Sequence, residues 1–281
     1  QTKMQASKSS AINLATALLA NNANGKNAVN MGIVTFGSDV IETDGSSFNS
    51  TRLTSTELTY DVNTITTMIN AIPDSVGEYN DNLGSQGTNI QSGLERAKNL
   101  LAGSTANNKV VILLTDGEPT YFNYNGTRYG NGSSDSWTCI EYTGSGWNRE
   151  CTQYKKPSEA ALEEANYIKN ANATIYTIGV GLGTDTTTTT FLEDVASSAA
   201  NAYLANNEEE LLSNFNDIVK SMTIVANNIV VEDIVPVGFV VDEELLKNTY
   251  GDSVSTSNNE DGTTTITWNI DELRVTNDQV L

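Results

Sequence analysis

Lys109-Val110-Val111-Ile112-Leu113-Leu114-Thr115-Asp116-Gly117-Glu118-Pro119 decides the fold of this chain. Val110 to Leu114 are all apolar, the pattern of a strand buried on both faces of a sheet. The run ends at Asp116-Gly117, a carboxylate followed by a turn residue. Upstream, Gly87-Thr88-Asn89 precedes Ile90, Leu94, Ala97 and Leu101, an apolar stripe at helical spacing with Asn or Thr as its cap. An open α/β sheet presents its ligand groups outside the carboxyl ends of its strands. The Thr88 hydroxyl and the Asp116 carboxylate both belong there, and such oxygens suit a hard divalent cation, Mg²⁺ or else Mn²⁺ or Ca²⁺. The plainer readings are a helix cap for Thr88 and a turn aspartate for Asp116.

Outward from this stretch, helices and apolar strands alternate. Ala11, Ile12, Ala15, Leu18 and Leu19 mark a helix from about residue 1 to 20, with no cap before it. Val29 to Phe36 is expected as a buried strand, with a short strand at Val40-Ile41 pairing back on it. Val62, Ile65, Ile69 and Ile72 give a helix that stops at Pro73. Pro157 is placed to open a helix reaching Asn170, and Ala173 to Val180 is a third buried strand. Phe191–Ala200, Ala202–Leu204 and Glu208–Val225 continue as helix, short strand, helix, and the threonine run 186–190 reads as a polar connection. The alternation implies a doubly wound, mostly parallel α/β sheet covered on both faces. Residues 117–156 show no period and are expected to form a long loop, a length that in compact domains accompanies function or disorder.

The pattern changes near Asn227. Ile229, Val231, Ile234, Val237, Phe239 and Val241, then Thr264-Ile266-Trp268-Ile270, are β-rich. Residues 226–281 hold 11 acidic and 2 basic residues and read as part of a separate all-β module. The division is therefore 1–225 and 226–281.

The chain has 281 residues and a net charge of −20, which argues against nucleic acid and against an anionic membrane surface as partners. No apolar run approaches the ~20 residues of a spanning helix. Gln1-Thr2-Lys3 is neither a signal peptide nor an initiator start, so the sequence reads as a piece of a longer chain. The absence of histidine removes serine–histidine catalysis and imidazole zinc sites. There is no Gly-x-Ser-x-Gly elbow and no phosphate loop, so an enzyme is not expected. Cys139 and Cys151, an even pair in a polar loop, read as a disulfide in an oxidising setting, with two free thiols as the alternative.

With Gly87-Thr88-Asn89-Ile90 before a helix and Leu114-Thr115-Asp116-Gly117 after a strand, residues 1 to about 225 resemble the von Willebrand factor A domain. The insertion after Asp116 and the β-rich tail look most like the tip adhesins of Gram-positive pili, where such a domain sits on immunoglobulin-like or pilin-like modules. The resemblance implies a metal-ion-dependent adhesion site (MIDAS) with three motifs. Thr88 matches the second and Asp116 the third; the first, Asp-x-Ser-x-Ser after the first strand, is missing. Asp44-Gly45-Ser46-Ser47-Phe48 lacks the final Ser and a preceding apolar strand, and is rejected. The resemblance puts the missing strand at the centre of the sheet, between 29–36 and 109–115. It is expected immediately upstream in the parent, or supplied by another chain; a substitute such as Ile229-Val230-Val231 is disfavoured. With two of the ligands present, Mg²⁺ binding by this chain is expected to be weak or absent.

The function implied is cell-surface adhesion, with a partner carboxylate completing the metal's coordination. Partners would be a host or matrix protein or glycan, together with other pilus or cell-wall subunits. Eight aromatic residues lie in 117–156, among them Tyr121, Tyr124, Tyr129, Trp137 and Trp147 as ligand-binding candidates. They serve equally well as a small core around a Cys139–Cys151 bridge, and a polar-aromatic loop also suits carbohydrate. Lys247, the only lysine after Lys220, is a weak candidate for an isopeptide bond of the kind the pilus resemblance suggests. The alternative function is an intracellular A-domain scaffold of a chelatase or ATPase-type assembly.

Overall fold

The computed structural model describes residues 2–20, 22, 29–43, 51–74, 87–145 and 148–274. They form two compact units, Gln1–Asp217 and Ile218–Leu281.

In the first unit, β1 (Lys109–Thr115), β6 (Ala173–Val180) and β7 (Ala202–Ala205) form a parallel sheet in the order β1-β6-β7. Parallel strands need crossovers, and helices supply them. α3 (Ile90–Ala102), α4 (Pro157–Asn170) and α5 (Thr186–Val195) pack Ile90, Leu94, Ala161, Ile168, Leu192 and Val195 against Val111, Leu113 and Ile175. Burial of each large side chain contributes about 1.5–3 kcal/mol. α1 (Lys3–Leu19) and α2 (Val62–Ala71) share a second cluster around Ala15, Leu19, Ile65 and Ile69. Among the described residues, β1 has a strand neighbour only on its β6 side.

Five sequence expectations need correction here. α1 is capped: Thr2 Oγ1 accepts the Gln5 amide and Gln5 Oε1 accepts the Thr2 amide. Residues 29–36 are half-buried and form no regular strand. Met31 exchanges two 2.8 Å bonds with Thr59, but farther along the Ile33 and Thr35 amides donate to the hydroxyls of Ser55 and Thr54. Side-chain oxygens thus stand where a ladder needs carbonyls. The threonine run is the first half of α5, because Asp185 accepts the amides of Thr187 and Thr188 and so caps a helix there.

Residues 117–156 carry most of the fourth correction. They form two antiparallel hairpins, β2 (Tyr121–Tyr124) with β3 (Thr127–Gly130) and β4 (Thr138–Thr143) with β5 (Glu150–Lys155). Asn125 (φ 48°) and Gly126 (φ 75°) make the tight turn of the first, as a two-residue Asn-Gly loop requires. Cys139 and Cys151 are disulfide-bonded across the second, with Cα atoms 5.9 Å apart. Phe122, Ile140 and Ala160 form a small core, with Tyr124 and Tyr129 packed on it.

α6 (Glu208–Thr223) leads along the chain to β8 (Ile224–Val235), which pairs antiparallel with β10 (Thr264–Arg274), and β10 with β9 (Val254–Asn258). Ile229-Val230-Val231 therefore bonds to Ile270-Asn269-Trp268 and does not stand in for a missing strand beside β1. The tail is not purely β. α7 (Glu243–Tyr250) is capped by Asp242, whose carboxylate accepts the Leu245 amide, and stops at Gly251 with φ 65°. Lys247 lies exposed in its last turn.

Candidate functional site

β1 carries its chain to the sheet rim at Thr115, whose hydroxyl accepts the Gly117 amide (3.4 Å) and donates to the Gly117 carbonyl (3.0 Å). This turn leaves Asp116 exposed, and its carboxylate has no hydrogen-bond or ion-pair partner among the described residues. The turn also sends Pro119, Thr120 and Tyr121 back across the rim. There the Thr120 and Tyr121 amides donate to the Thr88 carbonyl at 2.8 and 3.1 Å, and Thr120 Oγ1 accepts the Thr88 amide at 2.7 Å. Thr88 is thus fastened to the segment that leaves β1.

Asn89, not Thr88, caps α3. Asn89 is fully buried, and its Oδ1 accepts the Ser92 amide at 3.0 Å. Its Nδ2 donates to the Ser38 carbonyl and to Asn123 Oδ1, and its backbone amide donates to the Gly37 carbonyl at 2.6 Å. With the cap supplied by its neighbour, the Thr88 hydroxyl has no partner among the described residues. Gly87 precedes it with φ 95°, and a Cβ there would lie 2.5 Å from the Tyr121 ring. The same ring has Arg128 stacked over it at 5.0 Å, and Arg128 also donates to Ser38 Oγ at 3.0 Å.

Among the described residues, the rim therefore offers one carboxylate and one hydroxyl without other partners. That donor chemistry fits a hard cation, which takes about six oxygen ligands, several of them water. Among the described residues no group of three or more Asp, Glu, His or Cys is arranged to hold a metal. The rejected segment Asp44–Phe48 lies outside the described residues.

The aromatic residues of the two hairpins divide by exposure. Tyr121, Tyr124 and Tyr129 are half-buried, and Tyr124 donates to Glu141 at 2.8 Å. The bond to the Glu141 carboxylate holds the Tyr124 phenol above its ordinary pKa. Trp137, Tyr142 and Tyr154 are exposed, and Trp147 lies outside the described residues. Tyr154 is one of the eight loop aromatics read from the sequence, whereas Lys156 carries no signal there. Once the disulfide fixes the hairpin, alternation places Tyr154 beside Cys139 and Lys156 beside Trp137.

Residues 1–118 match the family model for the von Willebrand factor type A domain. No curated protein matches the sequence. Among solved structures, the chain is similar to the vWF domain of the type V pili tip protein Mfa5 from Porphyromonas gingivalis (17% identity, 78% of this chain and 88% of that one, TM-score 0.56). It is also similar to the pilus adhesin SpaC from Lactobacillus rhamnosus GG (21% identity, 96% and 35%, TM-score 0.54). The adhesive tip pilin GBS104 from Group B Streptococcus agalactiae is a third (14% identity, 95% and 76%, TM-score 0.53). The chain spans about a third of the SpaC chain. The first unit thus has the von Willebrand factor A fold seen in pilus tip adhesins, joined to a β-rich module.

Proposed function

We propose that this chain is the adhesive part of an extracellular pilus or cell-wall protein and acts by binding rather than catalysis. Thr88 and Asp116 would hold a divalent cation, Mg²⁺ or else Mn²⁺ or Ca²⁺, at the rim. Bound there, the ion offers positive charge to a carboxylate of the target. The chain's own part is to keep those two oxygens free: Asn89 takes over the cap, and the Thr115–Gly117 turn holds Asp116 outward. The observation that carries the reading is this pair of oxygens, without partners among the described residues, beside the turn where β1 ends.

The unpaired side of β1 supports a further strand there, carrying the remaining ligands from upstream or from another chain. The exposed Val230, Ile234 and Phe239 support the tail's being part of a larger module. The disulfide disfavours the intracellular scaffold, because thiols stay reduced there. The similar tip proteins come from Lactobacillus and Streptococcus and also from Porphyromonas, so the likeness supports the Gram-positive reading in part and extends beyond it. The test is capture on immobilised collagen, fibrinogen, fibronectin and mucin in Mg²⁺ and in EDTA. Capture by at least one surface that needs Mg²⁺ and is lost in Asp116→Ala supports the proposal. Capture indifferent to both Mg²⁺ and Asp116→Ala overturns it.

A further inference from the structure

The second hairpin leaves two of its aromatic side chains, Trp137 and Tyr154, largely exposed. Thr138 pairs with Lys155 and Cys139 with Tyr154, so Trp137, just before β4, stands opposite Lys156. Alternation then puts Trp137, Lys156 and Tyr154 on one side of the hairpin. Trp137 and Tyr154 are each 57% exposed and together line a shallow, open surface. Both rings are thereby open to a ligand.

Charge indicates what covers them. The chain carries −20 overall, yet residues 137–156 hold Arg149, Lys155 and Lys156 against Glu141 and Glu150. Lys155 is paired with Glu163, and Arg149 is stacked 3.7 Å over the Tyr142 ring. The Lys156 ammonium sits 5.3 Å over the Trp137 ring and has no carboxylate partner among the described residues. A cation with no carboxylate partner among the described residues, held over an exposed aromatic ring on an anionic molecule, favours an anionic ligand.

We propose that Trp137, Tyr154 and Lys156 form a subsite for an acidic glycan, a pyranose bearing a carboxylate. The weakly positive C–H face of a sugar ring lies against the negative face of an indole or phenol. The sugar's carboxylate then meets the Lys156 ammonium. A neutral proline-rich peptide would use the rings but leave the lysine without a role. The subsite deepens the adhesion reading, yet it needs neither Thr88 nor Asp116.

The probe is tetragalacturonate, with its methyl ester as the uncharged control. Binding to the whole chain is followed by saturation-transfer NMR and tryptophan fluorescence in EDTA. The acid is expected to bind about fivefold more tightly than the ester, the equivalent of an exposed ion pair near 1 kcal/mol. Lys156→Gln erases that preference and keeps the ester's affinity. Trp137→Ala and Tyr154→Ala each weaken both ligands, with the disulfide and circular dichroism unchanged. Asp116→Ala leaves all of this intact, so failure of the metal site and failure of the glycan subsite are separable. Equal binding of acid and ester, binding that survives Trp137→Ala, or no response to tetragalacturonate overturns the proposal. A (Pro-Pro-Gly)₁₀ peptide that binds through Trp137 where the uronate does not would also overturn it.

Discussion

Gly87→Ala tests whether the rim is built as described. Gly87 has φ 95°, beyond the left-handed well that other residues reach, so a side chain there costs about 1–2 kcal/mol in the backbone alone. The new Cβ would stand 2.5 and 2.7 Å from two Tyr121 ring carbons and 2.8 Å from Thr120 Oγ1. Neither neighbour retreats freely. Thr120 Oγ1 holds the Thr88 amide, and the Tyr121 ring lies under Arg128 and against Gly132. Overpacking of this kind adds about 1–3 kcal/mol, so the expected loss is about 2–5 kcal/mol. Urea titration followed by far-ultraviolet circular dichroism measures it. The cycle with Tyr121→Ala then isolates the clash, since the double variant should be more stable than the summed single effects by about 1–3 kcal/mol. A loss under about 0.5 kcal/mol, or no coupling to Tyr121, would refute the geometry assigned to Gly87-Thr88.

Three other outcomes follow from the same coordinates. Asn89→Ala removes the α3 cap together with the side-chain bonds to the Ser38 carbonyl and to Asn123 Oδ1; a loss of about 2–3 kcal/mol is expected in the same titration. Reduction of Cys139–Cys151 opens a loop of 12 residues' separation and should lower stability by about 3 kcal/mol, read from urea midpoints with and without reductant, the bridge itself verified by a two-dalton mass change. Side-chain hydrogen bonds from Thr64 and Thr188 hold Asp61 and Asp185 below the usual carboxylate range. Their contribution is therefore full above the unfolded value of about 3.9 and lost as pH falls through the folded values. The urea midpoint should stay level from pH 7 to 5 and drop below about pH 4, less steeply in Asp61→Asn/Asp185→Asn.

The regular α/β elements were readable because apolar side chains mark their buried faces. Lys109–Thr115, Pro157–Asn170 and Ala173–Val180 stand where apolar runs, Pro157 and the following turn residues put them. What escaped is set by polar contacts. Thr2 with Gln5 caps α1, Asp185 turns a threonine run into helix, and Asp242 opens α7 in a tail read as wholly β. The Asn125-Gly126 turn was present in the sequence, but its flanking strands are only four residues each and show no long period. At the rim, Thr88 and Asp116 were legible as residues. That Asn89 is the cap and leaves the Thr88 hydroxyl unpartnered emerges only from the bonds of folded neighbours. Tyr154 and Lys156 acquire a shared face with Trp137 only when the hairpin is formed.

Paramagnetic broadening by Mn²⁺ is the most direct test of the rim as a cation site, since it detects weak binding and reports its location. Titrated into the isotopically labelled chain, Mn²⁺ should broaden the amides of Gly87–Asn89 and Asp116–Gly117 first, and Asp116→Ala should abolish that effect while leaving the acidic surface unchanged. Broadening that starts at the carboxylates of residues 232–244, with Gly87–Asn89 sharp and Asp116→Ala silent, would contradict the account.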